Sequence, residues 1–311
     1  MSEILYNKYR PKQFDDVIGN TDSTSQLRKV LDKKRAQVFL FNGPSGCGKT
    51  TLARIAADYV GCSPRDIVEI DAATFNGIDK MREVTNMMGY KPIGGGDARA
   101  VIIDESHALS RQAWDSLLKA TEEPRAGVYW MFCTTNPGKV PDTIKTRCTS
   151  IKVTPLNDMQ LEKLVKRVAK SEGIKISEGV RQVIVREARG SARQALVNLA
   201  LCDGAETAKQ AAGMLHSAVE SDPTIELCRF IVKGGSWSRC MGIINKFEGE
   251  SAEGVRIVVC NYLASVLKNT KSDDSACDLL TKLEAFSTPY NVSEGFAPLL
   301  LSIGQALYNG E

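Results

Sequence analysis

"FNGPSGCGKTT", residues 41 to 51, follows the apolar run "VFLF" (38–41) and opens the helix-like segment "KTTLARIAADYVG" (49–61). It fits G-x-x-x-x-G-K-[ST], running from Gly43 through Pro44, Ser45, Gly46, Cys47, Gly48 and Lys49 to Thr50, with Thr51 next in line. Glycines there let successive backbone N–H groups wrap a phosphate, and the helix N-terminus adds positive potential. Lys49 is placed to reach β- and γ-phosphates, and the Thr50 hydroxyl to meet Mg²⁺. A chance glycine-rich turn needs neither a strand before it nor a helix after it. This loop has both.

The surrounding pattern agrees. "IVEI" (67–70), "AVII" (100–103) and "VYWMFC" (128–133) are short and rich in β-branched or aromatic residues, and read with 38–41 as buried strands. Between them, 49–61 presents Leu52, Ile55, Ala56 and Tyr59 on one face, and "SRQAWDSLLKATEEP" (110–124) starts at a Ser110 cap and stops before Pro124. Strands alternating with crossover helices predict a parallel sheet covered on both faces. After "SIKVTPLN" (150–157) the strand signal ends, and 158–172, 177–189 and 191–203 read as amphipathic helices, the first with Leu161, Leu164, Val165 and Val168 on its stripe. The polar stretch "HSAVESDP" (216–223) marks a further boundary, with helical periodicity resuming beyond it.

At 311 residues the chain has room for two or three domains. A net charge of +3 does not by itself indicate a polyanionic partner, so DNA binding requires the basic residues to converge on one surface. No apolar run has the length of a membrane span, and "MSEILYNKYRPKQF" lacks an apolar signal core, so the expectation is a cytoplasmic protein without membrane contact. The nine cysteines are scattered and never spaced C-x-x-C, and there are two histidines, His107 and His216, which argues against structural zinc and for buried packing thiols.

Further motifs carry chemistry. "AVIIDESHAL" (100–109) sets Asp104 and Glu105 at a strand end, where one carboxylate can hold a Mg²⁺ shell and the other orient or deprotonate water. Alone this would be an ordinary acidic pair; beside the phosphate loop it reads as nucleotide hydrolysis. "FCTTNP" (132–137) delivers polar groups at the next strand end, with Thr135 the first choice to face a γ-phosphate and Thr134 and Asn136 behind it. In "RGSARQALVNL" (189–199), Ser191 reads as a cap, and Arg193 in the first turn opposes the helix dipole unless an anion meets it or solvent covers it. Arg147 in "IKTRCTS" (144–150) is a surface charge, an ion-pair partner or a catalytic device.

In this order, "NKYRPKQFDDVIGN" (7–20), the phosphate loop, the acidic strand, "CTTNP", "TRC" and "RGSARQAL" resemble the clamp-loader ATPases of the AAA+ class. The middle block is most similar to bacterial gamma/tau subunits; the overall size is similar to the phage large subunit and the small subunits of replication factor C. The resemblance covers about residues 6 to 200. It implies an α/β AAA+ nucleotide-binding domain (1–155), a helical lid (156–216) and an all-α C-terminal collar (217–311). It implies ATP with Mg²⁺ held through Thr50 and Asp104, and an adenine bordered by Tyr6, Asn7, Lys8, Tyr9, Arg10, Pro11, Val17 and Ile18. Thr135 takes the sensor-1 role, Arg193 the sensor-2 role, and Arg147 acts in trans on a neighbouring subunit's ATP, with Thr146 replacing the serine of the usual Ser-Arg-Cys. Lys80, Arg82 and Arg111 fall where the family faces DNA, or are solvated helix charges. The implied partners are a sliding clamp, primer–template DNA and other loader subunits, including copies of this chain, in a pentamer.

Two departures stand out. "YVGCSPRDIVEI" (59–70) holds only Cys62 where gamma/tau proteins carry a four-cysteine zinc module, and the long tau extension is missing. Both favour a phage-encoded or otherwise minimal loader working in the host cytoplasm. Rival readings are a small-molecule P-loop kinase, which has no need of "TRC" or a helical C-terminal domain, a branch-migration or replication-restart AAA+ motor, and a structural ring subunit with a dead site.

Overall fold

Apolar runs become strands here because both of their faces are covered, so neither alternate set of side chains has to be polar. In the computed structural model, which describes residues 4–220, 223–247, 250–290 and 295–308, five strands form one parallel sheet in the order β2-β3-β4-β1-β5. They are β1 (Val38–Asn42), β2 (Cys62–Asp71), β3 (Ala98–Asp104), β4 (Val128–Thr134) and β5 (Thr149–Lys152). Helices α1 (Leu5–Lys8), α2 (Thr21–Asp32), α3 (Lys49–Tyr59), α4 (Ile78–Met87), α5 (Arg111–Glu122) and α6 (Asp142–Lys145) accompany them. On one face, Phe39, Phe41, Ile102 and Met131 pack with Leu27 of α2 and Leu52, Ala53 and Ala56 of α3. On the other, Leu40, Ile103, Trp130 and Phe132 meet Met81 and Val84 of α4 and Trp114 and Leu117 of α5.

The chain leaves β1 for the far edge strand β2, then returns strand by strand through β3 to β4, beside β1. That reversal opens a crevice at the carboxyl ends of the strands, where ligands of such sheets bind. The α/β fold class expected from the sequence is the one observed.

Three local readings need correction. β2 begins at Cys62, five residues before 67, because an edge strand accepts Pro64 and a register shift between Cys62 and Ile67 absorbs the polar residues. β5 is a further strand whose single buried residue, Ile151, is too short a signal for periodicity. Tyr59, assigned to the buried face of its helix, is exposed; its hydroxyl donates to Asp32 Oδ1 at 2.5 Å and its ring meets Phe14 edge-on at 5.2 Å.

Past β5 come α7 (Asp158–Glu172), α8 (Glu178–Ala188) and α9 (Ala192–Leu201), close to the predicted bounds. Asn157 and Gln160 form a capping box on α7, and the Ser177 and Ser191 hydroxyls cap α8 and α9. Leu161, Leu164, Val165 and Val168 are all buried. α10 (Ala208–Glu220) follows, so the stretch 216–223 is helical to Glu220, while residues 221 and 222 lie outside the described ones. The chain divides into two compact units after Ala211. The second contains α11 (Pro223–Lys233), α12 (Trp237–Ile244), α13 (Ala252–Asn269), α14 (Asp273–Ala285) and α15 (Ala297–Tyr308), packed around Leu227, Phe230, Val259, Leu263, Leu299 and Ile303. Among the described residues, no helix is long and apolar enough to cross a membrane.

Inside the first unit, Asp66 and Arg99 are both buried, 3.6 Å apart. Asp66 also accepts the N–H groups of Ile93 and Gly94 at 2.8 Å and the Ser63 hydroxyl at 2.7 Å, which ties the loop before β3 to β2. Removing one partner of a buried pair leaves the other charge uncompensated. Asp66→Ala is therefore expected to cost about 3–5 kcal/mol in denaturant unfolding, against about 1 kcal/mol for Ser63→Ala.

Candidate active site

The phosphate loop joins the end of β1 to α3, and its shape is set by glycines whose left-handed backbone or crowded surroundings disfavour a side chain. Gly46 has φ +71°, and a Cβ there would sit 2.2 Å from Ser191 Oγ, the cap of α9. Gly48, at φ +105°, is the N-cap of α3. Lys49 is buried and its Nζ donates to the Pro44 carbonyl at 2.9 Å, folding back across the loop. The Thr50 hydroxyl donates to Asp104 Oδ2 at 2.7 Å, bringing the phosphate loop and the acidic strand end together. Asp104 Oδ1 accepts the Glu105 N–H at 3.0 Å.

Glu105 sits at φ +44°, a left-handed conformation uncommon outside glycine, which turns its side chain out of the strand direction. Its Oε2 accepts the Thr135 hydroxyl at 3.0 Å. Thr134, one residue earlier, is fully buried: its Oγ1 takes the Asn136 N–H at 3.0 Å and lies 3.2 Å from His107 Nδ1. Of the three polar residues at the end of β4, Thr134, Thr135 and Asn136, Thr135 is thus the one whose side chain reaches the acidic pair.

A cleft runs over the loop, walled by the phosphate loop from Ser45 to Thr51, by Asp104 and Glu105, by Tyr6, Tyr9, Arg10, Pro11, Val17 and Ile18, and by Arg193. Asn7, Lys8, Gly43 and Pro44 are not on its wall. Asn7 instead accepts from Arg10 at 3.1 Å, Lys8 pairs with Glu172 at 2.7 Å, and the Pro44 carbonyl faces Lys49. The Arg193 guanidinium lies 5.5 Å from the Tyr6 ring centre. Asn20, Arg54, Glu69, Leu156, Arg167 and Leu196 also line the cleft and were not singled out from the sequence, and Leu164, expected only as a packing residue, lines it too. Arg54 had a local signal, since it follows Thr50 by one helical turn; the others come together only through the fold.

The donor set suits an anion and a hard cation. Arg54 is bound bidentately to Glu69 at 2.7 Å, but Arg10 and Arg193 bring further positive charge to the same wall. Burial first, then the nearby Arg54 and Arg193, hold the Arg10 guanidinium below its ordinary pKa. A phosphate would relieve that repulsion. Thr50 Oγ1 and Asp104 Oδ2 converge as oxygen donors of the kind Mg²⁺ takes directly or through water.

The remaining candidates lie off this cleft. Arg147 is partly exposed; its guanidinium donates to the Thr143 carbonyl and stands 3.3 Å from Glu122. Burial pushes the adjacent Cys148 thiol up to about 12, which suits a packing residue. Lys80 pairs with Glu83 at 2.9 Å on α4, and Arg82 and Arg111 are exposed.

Comparison with known proteins agrees with the motif order. The family model described as DNA polymerase III, delta subunit, matches residues 65–157. The chain is 32% identical over 216 residues to DNA polymerase III subunit tau of Bacillus subtilis, covering 62% of this chain and 38% of that protein. It is 33% identical to the gamma/tau subunit of Mycobacterium tuberculosis H37Rv, covering 62% and 37%, and 28% identical over 282 residues to Escherichia coli tau, covering 83% and 44%. The chain thus spans less than half the length of these relatives. Among solved structures, the Thermotoga maritima RuvB Holliday junction branch migration motor aligns with a TM-score of 0.59 at 19% identity, over 85% of this chain and 92% of that one. At that identity what is shared is the fold. The resemblance to bacterial gamma/tau subunits is borne out by the named relatives, and the structural neighbour shares the α/β fold.

The contact between Gly46 and the α9 cap gives a sharp test. Gly46→Ala forces a left-handed alanine against Ser191, and is expected to weaken phosphate binding at the loop on the order of tenfold, about 1.4 kcal/mol. Titration with a fluorescent ATP analogue reads the loss.

Proposed function

We propose that the chain is an ATPase subunit of a DNA polymerase sliding-clamp loader, which uses ATP binding and hydrolysis to open a clamp and place it on primer–template DNA. The observation that carries this is the pairing of Thr50 with Asp104 at 2.7 Å and of Thr135 with Glu105 at 3.0 Å over one phosphate loop, in a chain similar to gamma/tau subunits. On this reading Lys49 neutralises the β- and γ-phosphates. Glu105 takes a proton from water as the water oxygen bonds to the γ-phosphorus and the bond to the ADP oxygen breaks. Thr135 orients Glu105 and the water, and Arg193 contacts the nucleotide from the lid. Mg²⁺ held through Thr50 and Asp104 would supply charge neutralisation at the phosphate oxygens.

Arg147 supports the assembly part of the proposal, because it lies off the cleft of its own chain while its match in the family acts on a neighbour's ATP. Copies of this chain with partner subunits would form a pentamer, with residues 156–216 as the lid and 217–311 as the collar. The work would be done in the cytoplasm, that of the host if the chain is phage-encoded. Lys80, Arg82 and Arg111 would meet DNA phosphates, since a loader must accept any primer junction.

An arginine supplied in trans is worth roughly 10³–10⁵ in rate, or about 4–7 kcal/mol of barrier, whereas a surface ion pair such as Arg147–Glu122 contributes about 0–1 kcal/mol. Arg147→Ala is therefore expected to leave ATP binding to the isolated chain nearly intact and to suppress turnover stimulated by DNA and clamp; full stimulated turnover sinks the assignment. Neutralising Lys80, Arg82 and Arg111 together should weaken DNA binding and lower its salt slope by about 2–3, and an unchanged slope returns them to solvent.

A further inference from the structure

Both contacts to the Glu105 carboxylate fall on the same oxygen. Oε2 accepts the Thr135 hydroxyl at 3.0 Å and lies 3.3 Å from His107 Nδ1, and among the described residues no hydrogen bond reaches Oε1. Glu105 lines the cleft, so the unengaged oxygen is the one available to a water there. His107 is held in place as well. It belongs to a short turn, Ser106–Ala108, whose Ser106 hydroxyl is buried and donates to the Cys133 carbonyl at 3.0 Å, pinning the turn to the end of β4. The imidazole itself is only 22% exposed.

The surroundings of Nδ1 decide where its proton is. It faces two oxygens, Oε2 of Glu105 and Oγ1 of Thr134; the latter, 3.2 Å away, accepts the Asn136 N–H and keeps its own hydroxyl proton, so it can accept from Nδ1 or donate to it, and the carboxylate is the oxygen that discriminates. An ionised carboxylate has no proton to give. A lone pair on Nδ1 would confront the carboxylate lone pairs at 3.3 Å and be repelled, whereas an N–H there is attracted by the charge. Both the Nδ1–H tautomer and the imidazolium satisfy this; the Nε2–H tautomer can take the Thr134 O–H on Nδ1 but keeps that nitrogen's lone pair against the carboxylate, so the carboxylate disfavours it.

We infer that His107 is a positioning residue for hydrolysis: it donates Nδ1–H to Oε2 of Glu105 and, with Thr135, turns the carboxylate so that Oε1 receives the proton of the attacking water. Two donors on one oxygen fix both the rotation and the tilt of the carboxyl plane, which one donor cannot do. The step adds no reactant to the hydrolysis already proposed. It rests on the ATPase function above, and the test separates the two.

The chain has two histidines, so histidine-selective ¹⁵N labelling gives two imidazoles, and His216→Gln identifies the other. The expected result is a proton-bearing Nδ1 on His107, in the neutral ring or the imidazolium; an unprotonated Nδ1 overturns the inference whatever the enzyme does. In the assembled loader with primer–template DNA and clamp, His107→Ala is expected to lower kcat about 10- to 100-fold with KM nearly unchanged. His107→Asn, which keeps a donor at a similar reach, should recover most of it. On a Glu105→Gln background, His107→Ala should add no further loss, since it acts through that carboxylate. Additive losses, full turnover in His107→Ala, or an Asn variant no better than Ala each overturn it. If wild-type assemblies hydrolyse no ATP, the functional proposal falls, and the nitrogen spectrum still decides the hydrogen bond.

Discussion

Parallel register brings the ends of β1, β3 and β4 to one edge of the sheet. Asn42 pairs with Thr134 and Ile103 with Phe132, so the phosphate loop, Asp104 and the polar turn after β4 emerge side by side. The Thr50–Asp104 hydrogen bond is the closure of that arrangement, linking a loop at one strand end to an acid at another across 54 residues of sequence. Slipping one strand by a single residue would exchange its two faces and send Asp104 or Thr134 to the wrong side. The packed faces around Phe39 and Trp130 prevent the slip, so the core enforces the geometry of the site.

The helical segment that follows β5 is tied to the same crevice from two directions. Ser191 at the start of α9 rests on the phosphate loop through Gly46, and Arg193 two residues on stands over Tyr6. At the far end of α7, Glu172 takes both the Lys8 ammonium and the Tyr9 hydroxyl. The start of the N-terminal wall, Tyr6 to Tyr9, is therefore held to α9 through Arg193 and to α7 through Glu172. A nucleotide entering there must meet Arg10 and Arg193 together, and charge added to one is felt by the other.

Much of this was legible in the chain because its signals are local. The phosphate loop, the Asp104–Glu105 pair and the Ser110 and Ser191 caps depend on residues within a few positions of each other. What escaped depends on distance in sequence or on weak periodicity. β2 was read too short because Pro64, Arg65 and Asp66 look like a loop until Arg99 is seen to compensate Asp66. Tyr59 fits a helical stripe, yet the space beneath it is taken and its hydroxyl finds Asp32. Lys8 and Asn7 sit in a motif whose neighbours line the cleft, but their side chains turn to Glu172 and Arg10. His107 stood in the quoted acidic motif without a role, because its distance to Glu105 depends on the left-handed turn at that residue.

The central proposal is that each ATP is hydrolysed with an arginine from the next copy of the chain, so the functional unit is an interface. Subunit complementation tests this directly. Chains carrying Lys49→Ala lack a working phosphate loop but keep Arg147; chains carrying Arg147→Ala keep the loop but lack the arginine. Assemblies of either variant alone should show little DNA- and clamp-stimulated ATPase. Assemblies from a mixture should recover a substantial part of it, because Lys49→Ala chains lend Arg147 to neighbours with intact loops. A mixture no more active than the sum of its parts would contradict the account.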